Sequence, residues 1–188
     1  MIMTPRVRKF VLTAHVISSV GWLGAVAVVL ALGVVGLTSQ DDQTVRAAYL
    51  ATESIAWLVL VPLALASLVI GVVNALGTKW GLFRHYWVLA KLLLTIVATI
   101  ILLLYTQTIG NIAGVAAETT LSGAGLRALG RSPVLHASGG LLVLLMATFL
   151  GVYKPRGLTR YGWRKQQDER REQQEQQEQQ EQRTVLVP

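Results

Sequence analysis

The chain has no cysteine, three methionines and three histidines, and only 14% of its 188 residues are charged. The missing cysteine excludes disulfides, thiolate metal sites, c-type haem attachment and cysteine nucleophiles together. Charge is absent in long blocks. Phe10–Leu37, Ile55–Thr78 and Val134–Tyr153 contain no Lys, Arg, Asp or Glu, and Trp87–Ile109 contains Lys91 alone. Each block matches or exceeds the roughly 20 residues that cross a hydrocarbon layer about 30 Å thick. With 53% hydrophobic residues, the chain has more apolar surface than one soluble core of this size hides. The expected fold is therefore all-α, an integral membrane four-helix bundle over residues 1–155. A basic, then Gln/Glu-rich tail follows over 156–188.

Arg6, Arg8 and Lys9 precede the first block, as they would a secretory signal. Signal cores run about 7–15 residues, and this block is 28 long with His15 near its start. It is read as an uncleaved first helix.

The net charge of +7 follows topology rather than nucleic acid. Residues 1–9 carry +3, 79–86 carry +2 and Lys154–Lys165 carry +5, whereas 38–50 carry −1 and 110–133 carry +1. The positive-inside rule places both termini and the 79–86 turn in the cytoplasm. The bilayer is the first partner, and the basic segment after the fourth span faces anionic headgroups. The expected location is the bacterial cell membrane, with several passes.

Thr38–Val45 reads as a short outer loop, with the second helix starting near Leu50 and kinked at Pro62. Gly77–His85 reads as a tight inner turn. Trp80, Tyr86 and Trp87 are placed near that edge as interfacial aromatics, and His85 is placed at the same boundary. Gly110–Ser132 reads as the longest loop, with a short surface helix around Leu121–Leu129. Residues 172–181 repeat Glu-Gln-Gln without an apolar stripe, which predicts disorder or transient helix. A docking role for the tail toward a protein partner is open.

Polar and small residues recur at helical spacing. The lines are His15, Ser18, Ser19, Trp22 and Ala25 on the first span, and Glu53, Trp57, Leu60, Ala64, Ser67, Gly71 and Asn74 on the second. The third carries Lys91, Thr95, Ala98, Thr99, Tyr105 and Thr106, and the fourth His136, Gly140, Ala147 and Gly151. Bundle packing explains the small residues and hydroxyls, but not the ionisable groups. His15 lies six residues past Lys9, and Lys91 seven past Arg84. At about 1.5 Å per residue, both stand roughly 9–10 Å above the basic inner edge. Glu53 and His136 belong to the outer side.

A charge inside the membrane is costly, and an ionisable residue there is a functional candidate. Lys91 either snorkels to the headgroups or faces the bundle, and Thr95 and Thr99 on its own face favour the inward direction. His15 is a packing histidine or a ligand. His136 is an ordinary polar contact, or, with Glu53 beside it, a carboxylate-oriented histidine of the kind that fixes a metal-binding tautomer. Asn74 and Thr95 are further polar candidates. His15 and His136 are too far apart in depth, by roughly 10–15 Å, to clamp one iron together. His15 and Lys91 are level enough to flank one group. Helix bundles hold such groups between facing helices.

The segment Ala14-His15-Val16-Ile17-Ser18-Ser19-Val20-Gly21-Trp22-Leu23-Gly24 resembles the first helix of two bacterial families. They are the copper-resistance D-like membrane family and the haem-associated protoporphyrinogen oxidase of bacterial membranes. Tyr86-Trp87-Val88-Leu89-Ala90-Lys91-Leu92 resembles their third-helix segment. The layout also resembles a broader group of predicted bacterial integral-membrane proteins of unknown function. The resemblance implies b-type haem, with His15 as the metal ligand and Lys91 as its cofactor-binding partner, in electron transfer or porphyrin chemistry. It covers helices 1 and 3 by sequence and helices 2 and 4 by layout, with no further match to the oxidase motif. Scarce sulfur weakens a Cu(I) reading. The rival expectations are an accessory subunit of a membrane complex or transporter, and a small proton-coupled transporter using Glu53 and His136.

Overall fold

The computed structural model describes residues 3–77, 82–118, 123–155 and 157–185. The fold is all-α: helices α1 (Pro5–Thr38), α2 (Asp42–Ile55), α3 (Val61–Gly77), α4 (Tyr86–Ala117), α5 (Gly123–Leu129), α6 (Arg131–Tyr153) and α7 (Arg160–Val185). A π-helical turn, Ala56–Leu60, joins α2 to α3. Four helical stretches are long and apolar enough to cross a membrane: Pro5–Thr38, Asp42–Gly77, Tyr86–Ala117 and Ala124–Tyr153. Their outward faces are apolar. Phe10, Leu58, Leu104 and Leu142 are all more than 65% exposed, a surface that associates or aggregates in water.

α1 packs on α2, α3 and α6, and α4 packs on α2, α3 and α6. Small residues set the close approaches. Trp22, Ala25, Val26 and Val29 of α1 meet Leu60, Ala64, Ala137 and Leu144 in the main core. A second core, of Val45, Tyr49, Ile112, Ala116 and Leu126, closes one end.

That end is more helical than its composition suggests. α2 begins at Asp42, not near Leu50, because Asp41 caps it. Its carboxylate accepts from the Gln43 and Thr44 amides, and the Thr44 hydroxyl and both amides hold it below the usual carboxylate range. α4 continues through Gly110 to Ala117, so the long outer loop read at 110–132 is largely helix. Arg46 explains the extension: its guanidinium donates to the carbonyls of Ala116, at 2.8 Å, and Glu118. These carbonyls have no partner within their own helix. α5 begins at Gly123, and the first part of the surface helix read from Leu121 lies outside the described residues. Leu126 of α5 is fully buried, and its carbonyl accepts from the Tyr49 hydroxyl at 3.1 Å.

Pro62 acts through the turn before it. The ring removes a backbone donor and crowds the preceding turn, and the chain widens into the π-helix at 56–60. This shifts the facing residues. Thr52, Ala56, Leu60 and Ala64 are buried at four-residue steps, and Trp57 is 53% exposed. The inward line read through Glu53 and Trp57 is therefore one position off above Leu60, and right below it.

At the opposite end, Thr159 organises the entry to α7. Its amide donates to Arg84 O at 3.1 Å, its hydroxyl donates to Phe83 O, and Gly162 N donates back to that hydroxyl at 3.0 Å. Arg84 forms a two-point ion pair with Glu169, at 2.7 and 3.1 Å. The tail is thus helical over Arg160–Val185, docked by its first turns, with residues 171–180 all exposed. Trp80 lies outside the described residues.

Candidate functional site

His15 sits in the third turn of α1 and is half-buried. Its ring edge abuts α3, where a Cβ built on Gly71 would lie 2.9 Å from His15 Cε1. Nε2 lies 3.5 Å from Nζ of Lys91, on α4. Lys91 in turn abuts α6, where a Cβ on Gly151 would lie 3.2 Å from its Nζ. One imidazole and one amine, each from its own helix, therefore meet against two glycine walls, and all four long apolar stretches contribute. Snorkelling is not the geometry adopted by Lys91.

The pair has little polar company. Nδ1 of His15 is buried and makes no well-formed hydrogen bond, the backbone of Ser67 on α3 being the polar group it meets. Ser18 donates to the backbone carbonyl of His15 at 3.1 Å, and Ser19 and Ser67 share a hydrogen bond of 2.8 Å across α1 and α3. Thr95 and Thr99 spend their hydroxyls on their own helix, bonding the Lys91 and Thr95 carbonyls at 2.7 and 2.8 Å. Thr95 thus shares the face of Lys91 without reaching it. Asn74 lies half-buried on α3, one turn past Gly71.

No acid balances the pair. Ion pairs such as Arg84–Glu169 and Arg127–Asp42 lie elsewhere, and among the described residues neither His15 nor Lys91 takes part in one. Glu53 is 18 residues from Gly71 along one helical stretch, roughly 25 Å or more. Two basic groups this close disfavour simultaneous charging, and a low-dielectric setting sharpens the effect. A group that brings negative charge or accepts a nitrogen lone pair would complement such a pair.

The outer candidates do not form a pair. His136 is exposed. It stacks on Tyr105 with ring centroids 3.8 Å apart, and its Nδ1 lies 3.0 Å from Ser132 O. Tyr105 also bonds the Ser132 hydroxyl at 2.9 Å. Glu53 turns to α4, with Oε1 3.5 Å from a Cβ built on Gly110. The reading of His136 as a histidine oriented by Glu53 is corrected here. The inward face of α6 runs through Pro133, Ala137, Leu144 and Ala147, one position away from His136. Among the described residues, no three of His, Cys, Asp and Glu gather as a metal site.

A cavity of about 450 Å³ lies between α1, α4 and α6, lined among others by Trp22, Leu60, Ala98, Tyr105, His136 and Leu144. Its lining residues nearest the basic pair are Trp22 and Leu94, seven residues past His15 and three past Lys91. Trp22 is 3% exposed, and its Nε1 has no hydrogen-bond partner. The sequence offered one sign of this donor: Trp22 lies two turns above His15 on the same polar line. Comparison with protein-family models, with curated proteins and with solved structures finds no match.

Proposed function

We propose that this chain is a multi-pass protein of the bacterial cell membrane, with both termini in the cytoplasm. It binds a cofactor at His15 and Lys91. The guest that best matches is b-type haem, and the work is electron transfer or porphyrin chemistry. The single observation that carries this reading is the His15–Lys91 contact of 3.5 Å. It joins two basic groups inside an apolar bundle, and Lys91 has no ion-pair partner among the described residues.

The donor set fits a haem. A neutral imidazole is the usual axial ligand, and an amine beside it complements a propionate. When bound, the haem iron would supply one-electron chemistry. His15 would hold the iron and fix its orientation, Lys91 would neutralise a carboxylate, and the apolar helices would exclude water. The helices stand close at Gly71 and Gly151, so admitting a flat macrocycle requires them to move apart there. The resemblance of the His15 and Lys91 segments to the haem-associated oxidase family supports the same guest, although no oxidase activity is proposed.

The test is a titration of the purified chain with haemin in nanodiscs. One equivalent is expected to produce a saturable shift of the Soret band, lost in His15→Ala and weakened in Lys91→Met. Equal binding by wild type and both variants would overturn the proposal.

A second reading, an accessory subunit of a membrane complex or transporter, is favoured by α7, whose residues 171–180 are all exposed. Crosslinking from this segment in cells tests it. Capture of one defined membrane partner supports it, and a chain that crosslinks to nothing opposes it.

A further inference from the structure

We infer that the first turns of α7 are a surface site for anionic phospholipid headgroups, built from Arg160, Arg164 and Lys165 with the rings of Tyr161 and Trp163. It rests on the proposed spans and cytoplasmic termini, but not on the cofactor proposed at His15.

The backbone fixes where α7 begins. Residues 157–159 run antiparallel beside 84–86. His85 and Leu158 are bridge partners, Tyr86 N donates to Gly157 O at 3.3 Å, and Thr159 N donates to Arg84 O at 3.1 Å. Tyr86 opens α4 and Tyr153 closes α6. The strap therefore holds the start of α7 level with the ends of two long apolar helices, where hydrocarbon gives way to headgroups. Gly162 lets the helix come this close, since a Cβ there would strike the Arg84 carbonyl oxygen. The bundle-facing side of the turn is Thr159, Gly162, Gln166 and Glu169, buried or half-buried at steps of three and four residues. Arg160, Tyr161, Trp163, Arg164 and Lys165 are all exposed.

Two observations favour lipid as the cover of this exposed side. The first is aromatic. Tyr161 and Trp163 are the only large apolar side chains in residues 160–182, and they are 60% and 58% exposed. Phe83, Tyr86 and Tyr153, at the same end, are also more than half exposed. A helix solvated on that side gains nothing from two rings, whereas tyrosine and tryptophan settle at membrane interfaces, one end apolar and the other wet. The second is charge. Between Glu118 and Asp168 the chain has no acidic residue, and from 172 to 181 it has four glutamates and no base. An anionic surface attracts the first turns of α7 and repels the later ones. It would therefore hold the start of the helix and turn the glutamate-rich part toward the cytoplasm. An acidic protein matches the charges, but not the rings at the helix ends.

The test uses the full chain in phosphatidylcholine nanodiscs with a trace of spin-labelled lipid. The label sits near the top of the acyl chain of either phosphatidylglycerol or phosphatidylcholine. Paramagnetic relaxation of the indole ¹⁵N–¹H resonances reports proximity. Trp163 is expected to relax roughly fivefold more strongly with labelled phosphatidylglycerol, the preference that about one engaged arginine supplies. The variant carrying Arg160→Gln, Arg164→Gln and Lys165→Gln is expected to bring the ratio close to one, and high salt to do the same in wild type. Trp57, 53% exposed on the Asp42–Gly77 stretch, is expected to relax equally with both lipids throughout. His15→Ala is expected to change none of this, which separates the site from the haem reading. Equal relaxation of Trp163 by both lipids in wild type would overturn the inference. So would relaxation of Trp57 without Trp163, which would leave the basic turn to an acidic protein in the cytoplasm. Relaxation of Trp57 by neither lipid would overturn the spans themselves, and the inference with them.

Discussion

Nε2 of His15 and Nζ of Lys91, contributed by helices 76 residues apart in sequence, lie 3.5 Å from each other. Among the described residues neither is balanced by a carboxylate, and each rests on a glycine of a further helix. A bundle selected for stability alone gains nothing from two unbalanced basic groups. Apolar replacements of buried charged groups are often neutral or stabilising.

Lys91→Met is therefore expected to stabilise the guest-free bundle while impairing binding. The gain should be about 1 kcal/mol or more, because a half-buried amine without an ion-pair partner among the described residues is removed and its volume is kept. Equilibrium unfolding in mixed detergent measures it. A loss of more than about 1 kcal/mol would mark Lys91 as a structural element instead.

Gly71→Ala tests how tightly the imidazole is held. Its Cβ would stand 2.9 Å from His15 Cε1, so the ring or the helix has to shift. A cost of about 1–3 kcal/mol is expected, together with weaker haemin binding. Gly114→Ala, at a position where nothing lies within 4 Å, is the neutral control in the same assay.

The second core rests on Tyr49. A Cβ at Gly36 would lie 2.7 Å from its ring, and a ring, unlike a flexible chain, cannot fold aside. Gly36→Ala should cost about 1–3 kcal/mol. Tyr49→Phe should cost about 1 kcal/mol through the lost bond to Leu126 O. Thermal unfolding followed by circular dichroism compares the two. A neutral Gly36→Ala would show that α1 and α2 do not meet there.

Docking of α7 should be acid-sensitive. The hydrogen bond from Arg84 holds the Glu169 carboxyl below the usual carboxylate range. A depressed folded value means that the contact stabilises fully above the ordinary Glu pKa, about 4.3. It is lost as pH falls through the depressed value. The tail should therefore be docked at neutral pH and released in acid, and Glu169→Gln should weaken docking already at neutral pH. A spin-label distance between residues 83 and 166 follows it. A distance that stays short in acid and in the variant would contradict the role given to this ion pair.

The level match of His15 and Lys91 was legible because it needs only residue counting from two basic edges. The small residues at 71 and 151 were legible from helical spacing. Three features were not. The line through Glu53 failed because Pro62 widens the preceding turn at 56–60, which no fixed period of 3.6 anticipates. The end of α4 read as loop because Gly110 and Asn111 are poor helix formers. Its tertiary support from Arg46, 70 residues away, is invisible locally. His136 looked inward because its spacing fits a stripe beginning one residue off the true face at Ala137. The Trp22 cavity was out of reach, since a void is a property of several helices at once.

The most direct measurement is the absorption spectrum of the full chain purified from haem-replete cells, beside His15→Ala and His136→Ala. A Soret band in wild type and His136→Ala, absent in His15→Ala, is the expected result. Colourless wild-type protein, or a band that survives His15→Ala, would contradict it.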